Sequence, residues 1–216
     1  MAERKRPRRT RERILETSLA LFNARGAPRV TTAEIAGELN ISPGNLYYHF
    51  RNKEEIVAEL CSAFEARMAP LFADPAGRRV AVLDLWLWLH LMLERMGEYR
   101  FILRDVDLLA ARDAALGARH GRLLQRGIAT VVELCRGMVE AGTMTASRSE
   151  IAALARNVLL VATYWQSFDR IARGPPDSIG GDAGSGLAAA QVLSLIMPYL
   201  AADARALLDR LSRGYL

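Results

Sequence analysis

The sequence predicts an all-α fold: a small N-terminal helix-turn-helix domain of three helices, followed by a larger helical bundle. Three observations lead there. Ala and Leu dominate the composition while six Phe, six Tyr and three Trp are spread thinly, a balance that favours helix over sheet. Apolar residues recur at three- and four-residue spacing along most of the chain, and no segment alternates convincingly with the period of two of a half-buried strand. Capping residues and helix stops fall where the periodic runs begin and end.

Residues 1–9 carry Arg4, Lys5, Arg6, Arg8 and Arg9 around Pro7 and read as a flexible basic arm, suited to phosphates or a minor groove. The first helix is expected over 10–25, with Thr10 as cap, Ile14, Ser18, Leu21, Phe22 and Arg25 on one stripe, and Gly26 and Pro28 as the stop. A second helix opens on Thr31, with Glu34 three residues later, the signature of a capping box. Ile35, Ala36 and Leu39 face inward, Asn40 takes a turn position that tolerates positive φ, and Ile41 plugs the core.

The third helix starts at Ser42, a capping residue, and Pro43, a first-turn proline. Leu46 and Phe50, four apart, point inward, which leaves Asn45, Tyr47, Tyr48 and His49 mostly outside. Two adjacent exposed tyrosines on so short a helix are costly without a partner surface. Asn52 caps a fourth helix that carries Ile56, Leu60, Phe64 and Met68, and Pro70, Pro75 and Gly77 end the domain. The expected organisation is therefore an arm at 1–9, a helix-turn-helix domain at 10–70 and a helical domain at 78–216.

In the second domain, helices are expected over 78–97, 99–113, 114–141, 148–173, 187–197 and 201–213. The first of these is apolar around most of its girth and is expected to be a central buried helix. Gly142 ends the third, Ser147 caps the fourth, and residues 174–186, rich in glycine, read as a mobile linker.

Charge is unevenly placed. Residues 1–53 hold eleven Lys/Arg against five Glu, a net +6, while the rest of the chain is −1, which gives the overall +5. A basic N-terminal quarter on a near-neutral body points to nucleic acid. Cys61 and Cys135 lack CxxC spacing and read as buried thiols in a reducing cytoplasm. No signal peptide or membrane-spanning run is found, so a cytoplasmic protein is expected. No cofactor is called for.

Thr32, Ile35, Ala36 and Leu39, followed by Ser42, Gly44, Leu46, Tyr47, His49, Phe50 and Lys53, form a pattern that resembles the tetracycline-repressor (TetR) family of bacterial regulators over about residues 10–60. The resemblance implies a homodimer whose recognition helices meet successive major-groove faces of double-stranded DNA, roughly 34–36 Å apart. It carries DNA contact to Thr32, Ser42, Gly44, Asn45, Tyr47, Tyr48, His49 and Lys53. Tyr47 and Lys53 suit phosphates, Asn45 and Tyr48 suit base edges, and Gly44 permits backbone approach. Pro43 departs from the pattern, since relatives often have a polar or basic residue there, and it offers only apolar contact, as to a thymine methyl. Pairing through 148–173 and 187–197 is expected, with a small-molecule effector held in the bundle.

The aromatic and methionine stripe Trp86, Trp88, His90 and Met92, with Tyr164, Trp165 and Phe168, reads first as core and second as a pocket wall. The effector-binding candidates are Trp86, His90, Arg104, Trp165 and Phe168. His90 and Glu94 have i,i+4 metal spacing but lack a third ligand, so His90 reads as a satisfied buried histidine. Arg104 beside Asp105 reads as a structural ion pair before an effector clamp. No nucleophile, acid–base pair or metal set converges, so an enzyme is not expected. The expected function is a ligand-responsive repressor, released from a palindromic operator by a small molecule. The alternatives are a nucleoid protein that binds by charge alone, or a regulator of this fold without an effector.

Overall fold

A computed structural model describes residues 5–72, 80–173 and 183–213. Arm residues 1–4, the Pro-Gly stretch 74–77 and loop residues 174–182 lie outside them. Among the described residues there are ten α-helices and no strand: α1 (Lys5–Arg25), α2 (Thr32–Glu38), α3 (Pro43–His49), α4 (Lys53–Met68), α5 (Val82–Glu98), α6 (Arg100–Arg112), α7 (Ala114–Glu140), α8 (Arg148–Arg173), α9 (Ala183–Ile196) and α10 (Ala202–Ser212). The chain divides into two compact units, Met1–Ala66 with Tyr99–Ala118, and Arg67–Glu98 with Arg119–Leu216.

That division differs from a single cut between 70 and 78, because α6 belongs with the N-terminal helices. The side chain of Asn23 accepts from the backbone N–H of Phe101 at 3.0 Å, and the rings of Phe22 and Phe101 lie 5.3 Å apart. Arg104 donates to the carbonyls of Phe22 (2.5 Å) and Asn23 (3.3 Å) in the last turn of α1, where the Phe22 carbonyl also accepts from the Gly26 N–H at 2.8 Å. Its Nε also pairs with Asp105 at 3.2 Å, and Asp105 accepts from the N–H of Ala27 at 2.9 Å. Gly26 is needed beneath this network: its φ is +90°, and a Cβ there would stand 3.3 Å from the Arg104 guanidinium.

Arg104 and Asp105 keep 19% and 11% of their side-chain surface exposed. Replacing Arg104 by Met takes the paired cation from the Asp105 carboxylate and removes both carbonyl bonds, leaving Asp105 with the Ala27 N–H and Phe22 with the Gly26 N–H, at an expected cost of about 2–3 kcal/mol after allowing for that exposure. Thermal unfolding of Arg104→Met, measured by circular dichroism, is expected to fall by roughly 5–10 °C. An unchanged midpoint would mean that the network adds nothing to stability.

The start of α1 also differs from expectation. The helix begins at Lys5, so residues 5–9 of the expected arm are helical and Thr10 is an interior residue. Pro7 falls in the first turn, where a missing N–H removes no helical hydrogen bond. Of the stripe read on α1, Ile14, Ser18 and Phe22 are fully buried, whereas Leu21 is half-buried and Arg25 is exposed.

In the second unit α5 packs on α9 and α10, and α8 packs on α9. The α8 and α9 helices bury Ala155, Ala162, Ala188 and Ala189, small side chains that allow close approach. Gly127 does the same for α7, since a Cβ there would lie 3.0 Å from Leu159 and 3.2 Å from the Phe72 ring. The turns after α7 and α9 pair through an antiparallel bridge between Met144 and Leu200. Ser147 caps α8 by accepting from the N–H of Glu150, whose carboxylate accepts from the N–H of Ser147. Hydrogen bonding by Ser147 holds the exposed Glu150 carboxyl below its ordinary pKa.

The expectation of an all-round buried α5 is corrected. Its inner face holds Leu85, Leu89, Met92 and Met96, and Trp88 donates its indole N–H to the Leu71 carbonyl at 2.9 Å. Leu83 and Leu87 are 51% and 55% exposed, and His90 is exposed on the same side. His90 is therefore not the buried histidine that the sequence suggested. Apolar composition alone does not reveal which face of a helix its neighbours cover.

Candidate nucleic-acid interface

The site is built by two short helices whose ends are fixed by local chemistry. Thr31 accepts from the Glu34 N–H at 3.2 Å, while the Glu34 carboxylate accepts from the Thr31 N–H at 2.7 Å. These bonds with Thr31, followed by the charge of Arg25, hold the exposed Glu34 carboxyl below its ordinary pKa. At the turn Asn40 has φ 53°, and the N–H of Ile41 reaches back to the Ala36 carbonyl at 3.0 Å. Ser42 then caps α3, accepting from the Asn45 N–H at 3.2 Å.

Leu46 and Phe50 are buried, and their spacing turns the remaining side chains outward. Ser42, Pro43, Gly44 and Asn45 are exposed, and Tyr47 and Tyr48 are 51% and 79% exposed. The Tyr47 hydroxyl lies 3.0 Å from the Thr32 hydroxyl. One of the two donates to the other, which leaves the accepting group's O–H to reach a phosphate oxygen. The bond ties the start of α2 to the outer face of α3, so Thr32 and Tyr47 act as one unit.

His49 is only partly outward. It is half-buried, with its ring edge-on to Tyr48 at 5.1 Å. Burial, and then the charge of Arg11, pushes its pKa below the ordinary value, so a neutral imidazole faces the site with one donor and one acceptor. Arg11 is a residue that sequence reasoning missed. Its guanidinium sits 4.7 Å from the centre of the Phe50 ring and pairs with Glu59, which raises its pKa further. It braces the inner side of α3, and only contacts across 39 and 48 positions of sequence reveal it.

Gly44 is informative because the protein itself does not need it: a Cβ at this position would have the Ser42 hydroxyl as its nearest neighbour, at 4.0 Å. Gly44→Ala is expected to stabilise the short helix by about 0.5–1 kcal/mol, since glycine is a poor helix former. Its duplex affinity, read by fluorescence anisotropy, is expected to fall about tenfold if the missing Cβ makes room for a nucleic-acid backbone. Unchanged affinity would remove Gly44 from the interface.

Lys53 is half-buried, and its ammonium donates to two backbone carbonyls, those of Ala27 and Val30, each at 2.9 Å. Of the effector candidates, the structure brings together Trp165 and Phe168, with ring centres 5.5 Å apart. The Trp165 indole nitrogen is buried without a hydrogen-bond partner, whereas Phe168 is 61% exposed. Trp86 is half-buried on α5 and His90 is exposed. Arg104 is not with them: it belongs to the first unit, where its donors are committed to α1 and Asp105. Cys61 and Cys135 are both buried, and burial pushes the Cys135 thiol up to about 12. Among the described residues, no group of three His, Cys, Asp or Glu is placed to hold a metal ion, and no helix is long and apolar enough to cross a membrane.

Comparison with known proteins agrees with this geometry. The family model TetR, bacterial transcriptional repressor, matches residues 63–208, and that of bacterial regulatory proteins of the tetR family matches residues 14–60. The chain is 32% identical over 134 residues to the HTH-type transcriptional regulator TcmR of Streptomyces glaucescens, an alignment covering 60% of this chain and 54% of that protein. It is 43% identical over 54 residues to the HTH-type transcriptional repressor KstR2 of Mycobacterium tuberculosis, covering 25% of this chain and 27% of that one. The chain thus spans about half the length of TcmR and less of KstR2. A solved TetR-family transcriptional regulator of Marinobacter aquaeolei VT8 is 32% identical and superposes with a TM-score of 0.83, over 95% of this chain and 98% of its own. A capped helix-turn-helix with an outward tyrosine face, a helical second unit, and family matches on both place this chain in the TetR family of bacterial transcriptional regulators.

Proposed function

We propose that the protein is a cytoplasmic, ligand-responsive repressor that binds a palindromic operator as a homodimer. The observation that carries this reading is the Thr32–Tyr47 hydroxyl bond, which joins two elements into one outward surface beside Asn45 and Tyr48. Asn45 and Tyr48 read base edges, Thr32, Ser42 and Tyr47 reach phosphates, and Gly44 admits the backbone. His49, neutral at pH 7, supports Tyr48 from its inner side.

Pairing is supported by α8, whose outward side carries Leu160, Tyr164, Phe168 and Ile171, between 39% and 79% exposed. Their spacing of four, four and three keeps them on one stripe, as a helix packed against a second copy requires. The buried, unpartnered indole N–H of Trp165 supports an effector contact in the second unit, to a hydrogen-bond acceptor on an otherwise apolar molecule. A coupling of about 1–3 kcal/mol between the two sites suffices to change operator occupancy severalfold to a hundredfold.

The test is footprinting on genomic fragments, with random duplex as competitor, followed by a small-molecule screen read by thermal shift and DNA release. A protected palindrome that random DNA does not displace is expected, together with a compound that both stabilises the protein and frees the site. Equal affinity for unrelated duplexes would leave only binding by charge.

A further inference from the structure

Lys53 carries a charge that the family pattern assigns to DNA, yet two of its three ammonium protons are used inside the protein. They go to the carbonyls of Ala27 and Val30, each at 2.9 Å. Those carbonyls bracket Arg29, so the bonds hold the short 3-10 turn Ala27–Arg29 against the first turn of α4. Arg29 is thereby brought to the end of α4 that Arg51 precedes by two residues. Both arginines are exposed, and among the described residues neither side chain has a carboxylate partner.

Nearby arginines are committed elsewhere: Arg11 to Glu59, and Arg25 to Glu34 at 2.9 Å. Of the carboxylates in the neighbourhood, Asp105 on the Ala27 N–H is paired with Arg104, which leaves Glu54 and Glu55. Glu55 accepts from the backbone N–H of Arg51 at 2.8 Å, and Glu54 lies beside it in the first turn of α4. Three cations against two anions leave a local positive balance. The turn that bears Arg29 leads into Thr31 and Thr32, and Arg51 follows His49 by two residues, so the two arginines flank the proposed reading surface along the chain in both directions.

We propose that Arg29 and Arg51 form a contact site for DNA backbone phosphates, and that Lys53 is a positioning residue that holds Arg29 in place. This rests on the DNA-binding reading and adds to it. Guanidinium groups suit phosphate because their fork of donors matches two oxygens at once. Lys53 acts through Arg29.

The test uses the full chain and a mixed-sequence duplex of about 30 base pairs, with affinity measured by fluorescence anisotropy between about 50 and 200 mM salt. Arg29→Gln and Arg51→Gln are each expected to reduce the slope of log affinity against log salt by about 0.9 per bound protomer. Raising salt fourfold then costs each variant about 3.5-fold less affinity per bound protomer than it costs the wild type. Both side chains are exposed, so melting temperatures are expected to stay unchanged. Lys53→Met is expected to lower the slope in the wild-type background and to add nothing in the Arg29→Gln background. A wild-type slope in either arginine variant would overturn the site. A further loss of about 0.9 when Lys53→Met is added to Arg29→Gln would give Lys53 its own phosphate and overturn the positioning role. Absence of any duplex binding by the wild type would overturn the DNA-binding reading itself, an outcome distinct from binding with unaltered slopes.

Discussion

Tyr48→Ala is expected to erase operator protection while leaving the fold intact. The side chain is 79% exposed, and its ring contact within the protein is the edge of His49. Surface substitutions of this kind change stability by no more than about 0.5 kcal/mol. On DNA the same ring is proposed to meet base edges, where each lost contact costs about 1–3 kcal/mol. A palindrome doubles the loss, which corresponds to a fall in affinity of roughly 30-fold to more than 10⁴-fold. Footprinting beside a circular-dichroism melt separates the two quantities. Retained protection by a folded variant would move base reading away from α3.

Phe168→Arg combined with Ile171→Arg is expected to yield a folded monomer. These residues are 61% and 79% exposed, so the isolated chain holds the new charges in water at little cost. Across a pairing face, four arginines would approach one another with apolar neighbours around them, a strongly unfavourable arrangement. Sedimentation is expected to show half the mass of the wild type. Operator affinity is expected to fall by about 10²–10⁴-fold, because each half-site then binds without the other's local concentration. A double variant that still sediments with the wild type would shift the interface off α8. Effector release would then need another route.

Much of the candidate interface is legible in the amino-acid sequence. Thr31 with Glu34, Asn40, and Ser42 with Pro43 act over three or four residues, so their chemistry is written in adjacent positions. The same holds for α8, whose predicted limits at 148 and 173 match the observed helix and whose cap at Ser147 forms as read. The outward placing of Asn45, Tyr47 and Tyr48 follows from Leu46 and Phe50 alone. His49 is less legible, since its half-burial and its pKa depend on the fold around it, Arg11 included.

The sequence by itself determined the caps at Thr31, Ser42 and Ser147, the turn at Asn40 and the outward face of α3, because each depends on hydrogen bonds and periodicity within one or two turns. Tertiary structure decided the uses of Lys53 and Arg104, whose partners stand 23 and 26 positions away in one case and 81 and 82 in the other. It also decided which side of α5 is covered and drew α6 into the first unit. A long cationic side chain reads alike in sequence whether it ends in solvent, on a phosphate or on a carbonyl. Only the fold brings the acceptor within reach.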